Sequence, residues 1–520
     1  MLRRNTTDME RRTMKLIHCL ALAAAALFVT PLHACAAGPE RASKPAARQQ
    51  AAPSLAASIR AAVAESGLDL KKVAVGVSVR EVGTGALVAD IDGSTLMVPA
   101  SNMKVLTTAA ALRVLGTDYV YRTQLLRSGD RLTVVGDGDP SLGDPEMPYL
   151  DLAGKPLVGL TAEALIDTWV AAAKAAGVTQ VRELVVDDRI FDRQFTHPGW
   201  PEDQLSNSWC AEVSGLEFNV NLLQAKVGMA GGRPRVTAWT PAAPWLEVEN
   251  KAGANAKAKQ SVWIGRTDDP WKFTLNGNVK EEPAEPIAVC VHDMPSFFAR
   301  YVGERMAAAG ITVGATRVAT GADAAAAGTP VGQPFTRALP AVVRQCNTES
   351  QNMYAESLLK RMGAKRSGKS GTWENGAAAL AAEVDAALGA GTAAKGLVVK
   401  DGSGLCKENR VAPNLVSAWL RAIAIDPKAG PAFIGSLAVA GKTGTVAKRF
   451  KDLDTNRVFV PCKTGYINGV SCLSGFVGAP GQTPRFTFSI LCNDLTKDKN
   501  GVGDAKALQE RIVSILAGGM

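Results

Sequence analysis

Apolar residues change their spacing several times along the chain. Near the N-terminus SLAASIRAAVAESG has helical spacing, and Gly67 stops it. VAVGVSVREV and ALVADID then alternate apolar and polar positions on either side of GTG, which predicts a β-hairpin. SNMKVLTTAAALRVLG reads as a helix ending at Gly116. From about residue 122 to 320 the runs are shorter. LTVVGDGDPSLGDP predicts a strand and turn, TAEALIDTWVAAAKAAG a helix, and VRELVVDDRIFD a strand entering a loop. FTHPGWPEDQLSNSW is irregular and aromatic. Residues 216–290 alternate in short runs broken by Pro and Gly, as small antiparallel sheets do, and MPSFFARYVGERMAAAGI returns to helix.

From about residue 335 helices dominate. ALPAVVRQCNTESQNMYAESLLKRMGA predicts two helices around a polar break, and NGAAALAAEVDAALGA and PNLVSAWLRAIA two more. LVVKDGSGLCKENRVAP reads as a strand and loop. The C-terminal part predicts a three-strand meander, VFVPCKTGYI, VSCLSGFV and RFTFSILCND, closed by the helix AKALQERIVSILAG. Strands thus occur at both ends, with helices between. One domain built from residues 54–121 and 321–520, interrupted by an inserted region over 122–320, accommodates this order. It requires the N-terminal hairpin to join the C-terminal meander, against the tendency of consecutive elements to be neighbours.

Residues 1–36 suggest export. RRNTTDMERRTMK is basic, LIHCLALAAAALFV is an apolar run of about 14 residues, and PLHACAAG supplies small residues. Ala34-Cys35-Ala36 fits a cleavage site, which would leave residues 37–53 as an Ala/Pro-rich linker. Lipid modification of Cys35 is the rival reading, poorly served by His33, and Met14 is an alternative start. No later stretch is long and apolar enough to span a bilayer.

The formal charge is +9, with no dense Lys/Arg block, so a nucleic-acid partner is not expected, while an anionic polymer or a membrane surface is compatible. Of nine cysteines, seven follow Cys35; none forms C-x-x-C, and an odd number leaves at least one thiol unpaired. Only His197 and His292 remain after the presumed signal, which argues against a multi-histidine metal site. No cofactor is implied.

Three short motifs could carry chemistry. Ser101 and Lys104 form S-x-x-K at the start of a helix, on one face and close enough to meet. A lysine whose ammonium is disfavoured by burial can take the serine proton, and the helix N-terminus favours developing negative charge. Taken alone, the motif equally fits a capping serine followed by a solvated lysine. Ser350 and Asn352 stand in S-Q-N within the polar break, where Ser350 could face the lysine and leaving group and the Asn352 amide a substrate carbonyl. Taken alone, this is an ordinary helix connection.

Lys-Thr-Gly occurs twice. Lys442-Thr443-Gly444 continues into TVAKRFKD, polar and basic, with no expected partner strand beside it. Lys463-Thr464-Gly465 follows VFVP and precedes an Asn468-Gly469 turn and a second apolar run, the strongest short hairpin signal. A strand edge that pairs with an extended substrate, and a lysine that holds an anionic group, favour the second copy. Pro461 suits an edge strand.

S-x-x-K, S-x-N and K-T-G in this order are far more specific together than apart. With GDGDPSL, the FD…PGW segment, ESQNMYAESLLKRMG and KDGSGLCKENRVAP, the chain resembles the penicillin-binding protein 4 type D-alanyl-D-alanine carboxypeptidase/endopeptidase family over roughly residues 54–517, least through 216–330. SLAVAGKTGTVAKR matches a family stretch upstream of the functional K-T-G, so Lys442-Thr443 reads as an accidental K-T within it.

The resemblance implies an α+β fold: a serine β-lactamase/transpeptidase-like domain, with an antiparallel sheet flanked by helices plus a helical cluster, interrupted by smaller α/β and β subdomains. It implies that Ser101 is the acylated nucleophile and Lys104 its base. Ser350 and Asn352 would assist proton transfer and substrate binding, Lys463 and Thr464 would bind the terminal carboxylate, and Gly465 would belong to the substrate-binding strand. The backbone N–H groups of Ser101 and Tyr466 would form the oxyanion hole. Tyr466 and Cys406 depart from the hydroxyl residues more usual at their positions. The implied partners are peptidoglycan peptides, with β-lactams as covalent inhibitors, in the bacterial periplasm. A β-lactamase or esterase of the same superfamily, or a non-catalytic wall-binding protein, are the competing readings. A Ser-His-Asp hydrolase is disfavoured, because G-x-S-x-G is absent.

Overall fold

The computed structural model describes residues 54–147 and 161–519. The expected signal and linker, with Cys35 and Met14, lie outside the described residues, as does part of the expected insertion.

The N-terminal hairpin does join the C-terminal meander. Ala74–Glu81 pairs antiparallel with Phe486–Asn493 over its whole length and with Leu87–Ile91 on its other side. The sheet continues through Val470–Val477 and Pro461–Ile467 to the short strand Ala438–Val439. Val470–Val477 and Phe486–Asn493 are buried at every position, because both sheet faces are covered. The helices Leu55–Ala64 and Gly501–Gly518 pack together on one face and Pro413–Ala424 on the other. The topology pays off a non-local pairing with a long apolar interface, which is why sequence distance does not prevent it.

The edge differs from expectation in one respect. Ala438–Val439, just before the first Lys-Thr-Gly, pairs with Cys462 and Pro461, so the first copy does follow a partner strand. Beyond Cys462, the rest of Pro461–Ile467 has no sheet neighbour on that side among the described residues.

The helical half is centred on Met103–Leu115, whose residues from Met103 to Leu112 are all buried. Such a helix has no solvent face and shows no amphipathic stripe. Around it lie Leu339–Thr348, Asn352–Ser367, Trp373–Leu388 and Pro413–Ala424, which share one core cluster with it.

In the inserted region Thr312–Val318, Gln180–Asp187 and Arg131–Val135 run parallel, and Val120–Ser128 pairs antiparallel with the last. The helices Ala162–Ala175 and Met294–Ala308 provide the long connections that parallel strands need. Phe335–Ala338 also pairs with Val120–Ser128, so this sheet uses residues on both sides of the expected insertion. Two small sheets follow the expected short alternations, except that Lys272–Asn276 pairs parallel with Glu247–Asn250.

All seven described cysteines are buried free thiols. Among the described residues no helix is long and apolar enough to cross a membrane, and no group of His, Cys, Asp or Glu is arranged to hold a metal.

Candidate active site

A 3-10 turn, Ala100–Asn102, precedes the central helix and carries Ser101. Ala100 has a left-handed backbone (φ 45) although it has a side chain, a sparsely populated conformation held by its surroundings. Two segments press on this turn. A Cβ at Gly404 would come 1.8 Å from the Ala100 carbonyl oxygen, and one at Gly465 would come 2.7 Å from that of Pro99. Only glycine lets the 401–404 loop and the Lys463 strand approach so closely. The Asn102 side-chain amide donates to the Lys463 carbonyl at 3.0 Å, tying turn to strand.

Lys104 lies one turn beyond Ser101 and is wholly buried. Its Nζ is 2.9 Å from Ser101 Oγ, 2.6 Å from Asn352 Oδ1 and 2.9 Å from the Ser403 carbonyl. None of these partners is a carboxylate. Burial pushes the ammonium down to about 8, with the nearby Cys346, Glu356 and Asp401 pulling the other way.

Lys463 approaches from the sheet and is also fully buried. Its Nζ donates to Ser350 Oγ at 2.8 Å and to the Thr464 carbonyl at 3.0 Å. Burial, and then the Lys104 charge, push it down to about 7. Ser350 has φ 62, a second left-handed residue with a side chain, in the break between Leu339–Thr348 and Asn352–Ser367. The structure therefore brings Ser101, Lys104, Ser350, Asn352 and Lys463 together. It departs from expectation in their pairing. Ser350 bonds Lys463 rather than Lys104, and the Asn352 amide N–H is occupied by the Trp209 carbonyl at 2.9 Å.

The helix Asn352–Ser367 does more than carry Asn352. Residues 352, 356 and 360 recur at i, i+4 and i+8, so they project from one face. Glu356 accepts the Gly402 and Ser403 backbone N–H groups at 2.7 and 2.8 Å and the Trp373 indole at 2.9 Å. It thereby fixes the loop whose Ser403 carbonyl holds Lys104. Burial, with the charge of Asp401 adding, raises the Glu356 carboxyl to about 7, opposed by the donors it accepts. Lys360 reaches Asp192 at 2.7 Å and the Gln194 carbonyl at 2.8 Å, and its Nζ lies 3.8 Å from the Trp373 ring centroid. This fastens the inserted region to the helix that carries Asn352.

That attachment brings inserted residues over Ser101. A cavity of about 780 Å³ is lined by Ser101, Trp200, Gln204, Trp209, Lys407 and Tyr466, among others. The Trp200 indole donates to Asp401 at 2.9 Å, locking the cavity wall to the 401–409 loop. Tyr466 is 60% exposed. Thr464 Oγ1 is 2.9 Å from Thr445 Oγ1, in the loop that follows the first Lys-Thr-Gly. Lys442 itself points away, donating to the Thr455 carbonyl at 2.8 Å on the exposed surface.

Reading the motifs alone misses Glu356, Ser403, Trp209 and Thr445. Glu356 was signalled by its helical spacing from Asn352, and Trp209 by the aromatic, irregular stretch. A backbone carbonyl such as that of Ser403 leaves no sequence signal.

Fold and site together place a serine and two buried lysines in one cleft between an antiparallel sheet and a helical half. The structure of penicillin-binding protein 4 from Haemophilus influenzae superposes with a TM-score of 0.69 at 19% identity, covering 88% of this chain and 99% of that one. The same protein solved with a β-lactam gives a TM-score of 0.64 at 19% identity, covering 87% and 97%. The chain belongs to the D-Ala-D-Ala carboxypeptidase 3 (S13) family, which it matches over residues 55–517. The D-alanyl-D-alanine carboxypeptidase of Actinomadura sp. (strain R39) is 31% identical over 366 residues, or 67% of this chain and 66% of that protein. The match thus spans just under two thirds of that relative's length.

Proposed function

We propose that this protein is a serine-type D-Ala-D-Ala carboxypeptidase and/or endopeptidase acting on peptidoglycan stem peptides and cross-links. The observation that carries the reading is Lys104 Nζ at 2.9 Å from Ser101 Oγ, buried and with no carboxylate partner. A lysine so placed loses its proton more easily than one in water and can accept the serine proton. Family membership and the β-lactam bound by the Haemophilus relative support it.

In the proposed reaction Ser101 Oγ attacks the carbonyl of the penultimate D-alanine as its proton passes to Lys104. Backbone N–H groups of Ser101 and Tyr466 receive the oxyanion. The bond to the leaving amine breaks, and that amine takes, by way of Ser350, the proton that Lys104 received. The acyl-Ser101 ester then passes to water, regenerating the hydroxyl. Lys463 and Thr464 hold the leaving residue's carboxylate. We propose that it acts in the periplasm, either free or at the membrane surface, a reading supported by the basic N-terminus and its apolar run.

Incubation with benzylpenicillin followed by peptide mass spectrometry tests the reading, together with release of D-alanine from a stem pentapeptide. A stable adduct on Ser101 and released D-alanine are expected. No adduct, or one elsewhere, would sink it, and rapid penicillin turnover would favour a β-lactamase.

A further inference from the structure

The loop after Ala438–Val439 is tightly built. The backbone N–H groups of Lys442 and Thr443 both reach the Val439 carbonyl, at 2.9 and 3.0 Å. The Thr443 hydroxyl accepts the Val439 N–H at 2.9 Å, and Gly441 N–H reaches the Val446 carbonyl at 3.1 Å. Gly444 has φ 54, and a Cβ there would come 2.4 Å from the Thr348 carbonyl oxygen. The first Lys-Thr-Gly is therefore a turn, with Thr443 bracing it and Gly444 seating it against the helix end two residues before Ser350. The next residue, Thr445, is presented to Thr464 at 2.9 Å.

We propose that Thr445 is a second carboxylate-binding residue: its hydroxyl acts with that of Thr464 on the terminal carboxylate of the substrate. This rests on the function proposed above. Two hydroxyls carry two protons. In the free site one proton is used in the bond between them. A carboxylate has two acceptor oxygens, so it can accept a hydrogen bond from each hydroxyl in exchange for that single bond. Thr445 is exposed, and among the described residues its hydroxyl bonds only Thr464, so the exchange leaves no buried group unpaired. On its own strand Thr464 is followed by Gly465 and then Tyr466, whose ring lies beside Lys506 with the Nζ 5.9 Å from its centroid. The hydroxyl that bonds Thr464 therefore comes from the neighbouring loop and not from its own strand.

The full chain carrying Thr445→Val or Thr445→Ser is compared with wild type on a peptide ending in D-Ala-D-Ala and on its C-terminal amide. A hydrogen bond to a charged group predicts that the valine variant raises KM for the acid by about 10- to 100-fold with kcat little changed. The serine variant keeps the wild-type KM, and the valine variant treats the amide as wild type does. An unchanged KM for the acid, or equal losses on acid and amide, overturns the proposal. If the valine variant does not melt cooperatively, Thr445→Ala is read in the same way. Benzylpenicillin labelling of the wild type separates the two failures. An unlabelled Ser101 removes the underlying function, and this proposal with it. A labelled Ser101 with an unchanged KM removes this proposal alone.

Discussion

Lys463 Nζ lies 2.8 Å from Ser350 Oγ, so a part-buried hydrogen bond joins the sheet to the helical half across the cleft. Lys442, in the other Lys-Thr-Gly, is exposed, and its side chain donates to the Thr455 carbonyl of a loop. Lys463→Ala should slow penicillin acylation by about 10²–10³-fold, the cost of losing one preorganised donor. Lys442→Ala should stay within about twofold, as for a surface position. Acylation followed by gel-resolved fluorescent penicillin checks both. Comparable losses would mean that the wrong strand has been assigned.

Lys104 must be neutral to accept the Ser101 proton, and burial has lowered it to about 8. Deprotonation of Lys104 should therefore raise the acylation rate as pH rises toward that value, while loss of charge on Lys463, which holds the carboxylate, should turn the rate down again at higher pH. Lys463 titrates nearby, at about 7, so the inflections belong to the pair rather than to either residue. Stopped-flow acylation from pH 5.5 to 9.5 (about four units, spanning both transitions) measures the profile. Lys104→Arg keeps the charge but cannot deprotonate and should abolish the reaction at every pH. A flat wild-type profile would remove Lys104 as the base.

Gly465 sets the distance between strand and nucleophile. Its replacement by alanine puts a Cβ 2.7 Å from the Pro99 carbonyl oxygen and 3.0 Å from the Asn102 nitrogen, so one segment must shift. A displacement on the ångström scale at a reacting centre costs roughly 10²-fold in rate. Gly465→Ala should lose about that much acylation while retaining its far-UV circular dichroism. Full activity would show that the strand can retreat without effect.

Glu356 is an acceptor for three donors, two of them backbone N–H groups. In Glu356→Gln one acceptor oxygen becomes an NH₂ facing a donor. Stability should fall by about 1–3 kcal/mol, the cost of a buried group left unpaired. Activity should fall too, because the Ser403 carbonyl that holds Lys104 moves with the loop. Thermal denaturation and D-alanine release test this, and a variant as stable and active as wild type would refute it.

Much of this was legible before the structure. The N-terminal hairpin follows from its alternation, because a 2-residue period is a local property, and Met103–Leu115, which has no such stripe, from an unbroken run ended by Gly116. Ser101, Lys104, Ser350, Asn352 and Lys463 could be nominated from short motifs and the order in which they occur. The first Lys-Thr-Gly shows where this ends. Its sequence disqualified Lys442, whose surroundings are polar and basic, but gave no sign that Thr443 and Gly444 build a turn delivering Thr445 to Thr464.

The sequence by itself determined which segments form helices and strands, and which side chains have the chemistry for acyl transfer. Those properties depend on residues a few positions apart. Tertiary structure alone decided that Ser350 pairs with Lys463, that Ser403 offers its carbonyl to Lys104, and that Trp209 of the inserted region occupies the Asn352 amide. Each joins residues far apart in sequence, and two of the three use backbone carbonyls, which every residue possesses. Such contacts follow from how Gly404 and Gly465 let separate segments close on one turn, and that closeness exists only once the chain has packed.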